Sequence, residues 1–344
     1  MTSSAAKVNK ILVINLAFIG DVLLSSPVIK GLRDAYPDAI IDMLVVPLTE
    51  PIAAGNPFVN RVFIYDKRGR HKRLGELWKL IQTLRKGKYD LSLSMNFALR
   101  GAMLSWAIGA KRRVGYNRQH GGLFLTDCAD SSRDKLRHET ANHLEILKPL
   151  GITVTDTRLL FEVKESYRIS LRQKVSFSSR PAIAICPFGS YPKKSWPFTK
   201  YVQLLKDLAP TADCYLIGAV SDQHALEKIR NDAGQNITVL AGNLTLPELA
   251  AFLEKVKLLI TVDTGPMHLA DAIGTPIVAL FGPTDPRIWG PRGAHTLVLQ
   301  KPVSCAPCWG KIECSEHRCM ENIEVSEVLD SVNKLYGYQN QINE

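Results

Sequence analysis

A chain of 344 residues, nearly half of them hydrophobic and with Gly and Pro scattered, is too long for one ordinary core and suits two domains of roughly 150 residues each. Its longest apolar runs are of strand length, short of the ~20 residues that cross a bilayer, and the first ten residues lack the apolar core of a signal peptide, so a cytoplasmic protein is expected. The net charge of +10 is uneven: residues 1–165 hold 25 Lys and Arg against 16 Asp and Glu, residues 166–344 hold 18 against 17, which directs any anionic partner to the first half.

In chain order, short β-rich runs at 11–14, 40–46, 62–65 and 91–94 alternate with stretches of helical spacing at 22–35 and 74–85. Alternation of this kind implies a parallel, doubly wound sheet. The Ser- and charge-rich segment 164–180 reads as a linker, dividing the chain into domains 1–165 and 166–344. The pattern then restarts, with strands at 182–186, 214–217, 237–240, 258–262 and 277–280. Helices at 201–208, 223–231, 246–255 and 266–273 fit between them. A last helix, 325–336, could pack back toward the first domain. The expected fold class is α/β, with two Rossmann-like domains facing across a cleft.

Chemistry-bearing residues cluster where strands end. The first strand runs into Asn15-Leu16-Ala17-Phe18-Ile19-Gly20-Asp21. The Gly-x-Gly-x-x-Gly pattern of a dinucleotide site is absent there, which argues against nicotinamide or flavin. Asp21 reads either as a helix N-cap or as a general base for a hydroxyl nucleophile. In the second half, Cys186-Pro187-Phe188-Gly189-Ser190 and Lys193-Lys194-Ser195-Trp196-Pro197 offer phosphate donors at Gly189 and Ser190 and a compensating charge at Lys194. Asp222, after another strand, is placed either to accept from ribose hydroxyls or to cap the following helix. The densest stretch is Val262-Asp263-Thr264-Gly265-Pro266-Met267-His268, a buried strand breaking into a helix whose amides and dipole can hold a phosphate. Capping by Asp263 or Thr264 is the plainer reading of the same residues.

Two basic runs, Lys67-Arg68-Gly69-Arg70-His71-Lys72-Arg73 and Lys111-Arg112-Arg113, contain no aromatic residue, which weakens a nucleic-acid reading. Cys128, Cys186 and Cys214 stand alone. Cys305, Cys308, Cys314 and Cys319, with His317 among them, have a spacing open to a tetrahedral metal or to thiols stapling a loop.

Taken together, Gly20-Asp21-Val22-Leu23, Lys194-Ser195-Trp196-Pro197, Asp263-Thr264-Gly265-Pro266-Met267-His268 and Thr275-Pro276 through Leu280-Phe281-Gly282-Pro283-Thr284 resemble glycosyltransferase family 9, the lipopolysaccharide heptosyltransferases, over nearly the whole chain. The resemblance implies a GT-B fold and inverting transfer of heptose from ADP-heptose to the lipopolysaccharide inner core, without a catalytic metal or cofactor. Carried onto this sequence, it implies Asp21 as base, Lys194 and the amides about Thr264 and Gly265 stabilising the departing diphosphate, and Ser190 touching it. Asp263 and His268 would contact phosphate or sugar, and Asp222 the ribose. Arg61, Arg68, Arg70, Lys72, Arg73 and Arg113 are acceptor-binding candidates, since acceptors of this kind are acidic and lie at an anionic membrane surface. A GT-B enzyme using a UDP- or GDP-sugar, or a 2-epimerase, is the nearest alternative, and a basic nucleic-acid or membrane-surface binding module a more distant one.

Overall fold

Strands buried on both faces read as unbroken apolar runs, and those runs form the centres of two sheets. The computed structural model describes residues 7–132, 136–234, 236–314 and 316–342 and separates into two units, Met1–Phe161 and Glu162–Glu344. In the first unit, β1 (Lys10–Asn15), β2 (Ile40–Val45), β3 (Arg61–Ile64), β4 (Leu91–Ser94), β5 (Arg112–Tyr116) and β6 (Asp127–Ala129) pair in the order β3-β2-β1-β4-β5-β6, all parallel. The strand order reverses between β1 and β4. Their carboxyl ends therefore flank a topological switch point, where α/β sheets bind ligands.

The second unit repeats this topology. β7 (Ala182–Cys186), β8 (Asp213–Leu216), β9 (Ile237–Val239), β10 (Leu258–Val262), β11 (Ile277–Phe281) and β12 (Thr296–Gln300) pair in the order β12-β11-β10-β7-β8-β9, again all parallel. Its switch point lies between β7 and β10. Among the described residues, no helix is long and apolar enough to cross a membrane.

Several elements differ from expectation. The stretch 22–35 is two helices, Ile19–Leu24 and Ser26–Ala35. Ser25 parts them: its hydroxyl donates to the Val22 carbonyl at 2.9 Å and accepts from Asn15 Nδ2 at 3.0 Å. Pro27, lacking an N–H, starts the second helix. The segment read as a linker contains the helix Glu165–Arg172, docked on helix Leu246–Lys255 through a two-pronged Arg168–Glu254 pair, both bonds 2.7 Å, and buried Leu171. The last helix, expected over 325–336, runs Val325–Ile342, and its Val328, Val332 and Leu335 lie in the second unit's core cluster.

Candidate active site

At the second unit's switch point the loop after β7 meets the loop after β10. Lys194 Nζ lies 2.8 Å from Asp263 Oδ2 and donates to the Asp263 carbonyl at 3.2 Å, with both side chains largely buried. Tyr191 lies beneath the ammonium, its ring centroid 5.0 Å from Nζ, and burial followed by the Asp263 charge pushes its phenol up to about 12. The loop is held from outside. Trp196, 2 % exposed, donates from Nε1 to the Ile323 carbonyl at 3.0 Å, and Lys200 Nζ donates to the same carbonyl at 2.9 Å. This explains Trp-Pro after Lys194: an aromatic anchor and a rigid helix entry fix the lysine's base.

Gly189 is required by space. A Cβ there would stand 2.9 Å from Lys194 Cδ and 3.1 Å from the Asp263 carbonyl oxygen. Helix Gly265–Ile273 starts immediately after this pair, with Thr264 at the N-cap in extended backbone and no capping bond from its hydroxyl. Pro266 has no N–H and the Met267 amide donates to the Thr264 carbonyl, so the amides of Thr264 and Gly265, with the helix dipole, are those that can receive an anion. His268, one turn in, is 3 % exposed, and Ser190 is exposed in the loop after β7. Asp222 occupies the N-cap position of helix Gln223–Ala233, but its Oδ2 accepts from the Ala219 amide at 2.8 Å, bracing the turn after β8. Thus Lys194, Asp263, Thr264 and Gly265 converge, and Asp222 lies on the loop of the neighbouring strand.

In the first unit, the loop after β1 is pinned to the loop after β4: the Leu16 amide donates to Asn96 Oδ1 at 2.6 Å. Phe18, not Asp21, is the N-cap of helix Ile19–Leu24. Asp21 is the third helical residue and partly exposed, so the capping reading does not hold for it. Glu139 and His143, from helix Glu139–Leu144, bring a carboxylate and an imidazole to it, with one ligating atom from each of the three within 4.8 Å of the others. Neither residue stands out in the sequence, where 138–143 reads as a polar helix start. Beside the same strand ends lies an open groove of about 750 Å³ lined by apolar side chains together with Lys67, Asn96, Arg100 and Gln119.

The acceptor candidates are spread out. Arg68, Arg70, Lys72 and Arg73 lie exposed on the loop after β3, which Asp66 organises by accepting from the Gly69 and Arg70 amides at 2.9 Å each. These bonds, the Arg70 amide's first, hold the Asp66 carboxyl below its ordinary range. Arg70 is engaged by Glu76 at 2.7 Å. Arg61 begins β3, at the opposite end of the strand from that loop. Arg113 spends its guanidinium on the carbonyls of Phe124 and Ala110, at 2.7 and 2.8 Å. Of the cysteines, Cys305 is exposed and Cys319 buried, and burial followed by the neighbouring sulfurs raises the Cys319 thiol. Among the described residues, no three of those four sulfurs come within 4.8 Å of one another.

Two parallel α/β units of one topology, each with chemistry-bearing residues at its switch point, are the architecture of the GT-B fold, on which nucleotide-sugar enzymes are built. The family model of glycosyltransferase family 9 (heptosyltransferase) matches residues 77–319, and the chain belongs to that family. It is 30 % identical over 287 residues to lipopolysaccharide heptosyltransferase 3 of Escherichia coli K12, covering 80 % of this chain and 83 % of that protein. A family 9 glycosyltransferase structure from Veillonella parvula superposes with a TM-score of 0.87 at 26 % identity, over 95 % of this chain and 97 % of that one. The ADP-heptose heptosyltransferase II of Escherichia coli does so at 0.82 and 25 %, over 96 % and 99 %.

Proposed function

We propose that this chain moves a heptose from ADP-heptose to the inner core of lipopolysaccharide, with inversion at the anomeric carbon and without a catalytic metal. The observation that carries the reading is the Lys194–Asp263 pair beside the open N-terminus of helix Gly265–Ile273. The names of its relatives, heptosyltransferases acting on lipopolysaccharide, support the donor and the acceptor. As it stands the pair is neutral. A diphosphate competes with Asp263 for the ammonium, and the helix amides add donors that gain strength as charge builds on the leaving oxygen. Ser190 contacts the diphosphate and Asp222 the ribose, while Asp263 and His268 are the buried members of the donor set.

Asp21 is the general base. It takes the proton from an acceptor hydroxyl as that oxygen's pair forms the bond to the anomeric carbon, and the bond to the diphosphate oxygen breaks with its pair. Arg68, Arg70, Lys72 and Arg73 bind the acceptor's acidic groups and touch the anionic surface of the membrane in which it is anchored. Arg61 and Arg113 have less claim, given where they lie.

Two measurements test this. ADP at a hundredfold excess over its dissociation constant should stabilise the protein by about 2.7 kcal/mol. UDP and GDP should do far less, and stabilisation by UDP alone would sink the heptose donor. With ADP-heptose and truncated cores, mass analysis should show one added heptose, and Asp21→Asn should lower kcat by roughly 10²- to 10⁴-fold with ADP binding retained.

A further inference from the structure

Helix Glu139–Leu144 turns two ionisable side chains inward. Glu139 is 1 % exposed and His143 is 4 % exposed. Four residues apart, they share one helix face, and that face packs toward helix Ile19–Leu24, which carries Asp21. Glutamate is almost never fully buried unless paired, and apolar side chains would fill these positions at lower cost. Glu139 is held on two sides: Oε2 accepts from Asn142 Nδ2 at 3.3 Å, and Oε1 stands 3.6 Å from His143 Nε2. Asn142 is fixed in turn, its Nδ2 also donating to the Arg137 carbonyl at 3.4 Å and its own carbonyl accepting from Tyr116. Only Asp21 of the three ionisable groups has appreciable exposure.

We propose that Glu139 and His143 are positioning residues for Asp21, a buried carboxylate–imidazole pair that fixes the orientation of the base. The proposal rests on Asp21 being that base. An aspartate side chain has several rotamers, and an imidazole within 4.8 Å, itself anchored by Glu139, favours the one that faces it. No atoms pass through the pair. The proton goes from the acceptor oxygen to Asp21, and loss of the carboxylate charge leaves the Glu139–His143 pair intact. The same three side chains bring one ligand atom each within 4.8 Å of the others, a spacing that also suits a divalent cation, and a chelator distinguishes the two roles.

The test uses His143→Gln and Glu139→Gln in the full-length chain. Each should lower the melting temperature, as breaking a buried pair does, yet at temperatures where the variant is fully folded it should lower kcat at least tenfold with the KM for acceptor and the affinity for ADP near wild type. Glu139→Asp, which keeps the charge, should recover part of the loss; a merely structural carboxylate would tolerate the isosteric Gln better than the shorter Asp. The double variant Asp21→Asn/His143→Gln should be no slower than Asp21→Asn alone, because residues acting as a unit are not additive. Loss of kcat under twofold in both Gln variants overturns the proposal while leaving Asp21 as base. Full turnover by Asp21→Asn removes the base assignment itself. Abolition of wild-type activity by EDTA, with recovery on adding Mn²⁺ or Zn²⁺, overturns the proposal in favour of a ligand role.

Discussion

At the scale of single residues, the donor half depends on one glycine as much as on its lysine. Gly189 lets the loop after β7 pass against Lys194 and the Asp263 backbone, and a methyl there would have to push the Lys194 side chain aside and press on the Asp263 carbonyl. Gly189→Ala should therefore cost about 1–3 kcal/mol of stability, as overpacking does. Because the displaced group is Lys194, it should also lower kcat/KM at least tenfold. Steady-state kinetics beside thermal unfolding check both, and a variant as active as wild type would show that the lysine does not need this register. Asp263 and Gly265 were legible in the sequence because they stand within three residues of the end of a buried strand, and Lys194, eight residues past the end of β7, because Trp-Pro follows it and marks the entry to the next helix. Glu139 and His143 were not. In a helix start rich in polar residues nothing distinguishes an inward carboxylate from a solvated one until the neighbouring helix is placed. Asp222 and Asp21 show the limit from the other side: residue type allowed two roles each, and capping is set aside for Asp21 by the position of the N-cap at Phe18 and for Asp222 by its bond to the Ala219 amide.

At the scale of elements, the central strands were readable and the marginal ones were not. β1, β4, β7 and β10 are buried along nearly their whole length; β1, β7 and β10 read as apolar runs, and β4 as a Leu-Ser alternation of strand period. β5 opens with two arginines, one paired to Asp127 on β6, and β12 is an edge strand exposed on alternate positions, so their patterns carry little signal. The helix Glu165–Arg172 escaped for a related reason. Its stability comes from charges on a partner far along the chain. Glu248, in the first turn of helix Leu246–Lys255, accepts from Lys174 at 2.8 Å, from Ser170, and from the Thr245 amide and hydroxyl at 2.8 and 2.9 Å. Burial alone would raise this carboxyl, but the hydrogen bonds outweigh it and bring it down to about 2. A depressed carboxyl contributes its full stability above the unfolded value near 4.5 and loses it as pH falls toward 2. Glu248→Gln should destabilise the protein by about 1–3 kcal/mol near neutral pH, a figure already reduced because Lys174 is partly exposed and screened. Denaturant unfolding of both proteins from pH 7 to pH 2.5 should show the gap closing below about 4.5. A gap that stayed constant would mean that the carboxylate's charge is not what docks the helix.

At the scale of the whole molecule, the division at Phe161 and Glu162 sharpens the charge asymmetry. Met1–Phe161 carries 24 Lys and Arg against 14 Asp and Glu, and Glu162–Glu344 carries 19 against 19. The entire formal excess thus belongs to the unit that holds Asp21, and the unit proposed to bind a doubly charged diphosphate is neutral. Its anion affinity must then come from local donors, Lys194 and the helix amides, rather than from a long-range field. The first unit's field suits a different task, drawing the chain to an anionic surface, where each nearby Lys or Arg is worth about 1 kcal/mol and the attraction fades within a Debye length. Exposed Leu74 and Trp78, on the helix that follows the loop 66–73, add apolar surface next to those charges. Vesicles of phosphatidylglycerol and phosphatidylethanolamine should bind the protein in sedimentation at low salt and release it as salt approaches 0.5 M. Replacing Arg68, Arg70, Lys72 and Arg73 together with Gln should weaken binding at least tenfold while ADP affinity is unchanged, because the two tasks lie in different units. The same variant should raise the KM for a lipid-anchored acceptor on vesicles more than for a soluble truncated core. Equal effects on both acceptors would assign these residues to recognition of the sugar acid alone and remove the membrane from the account.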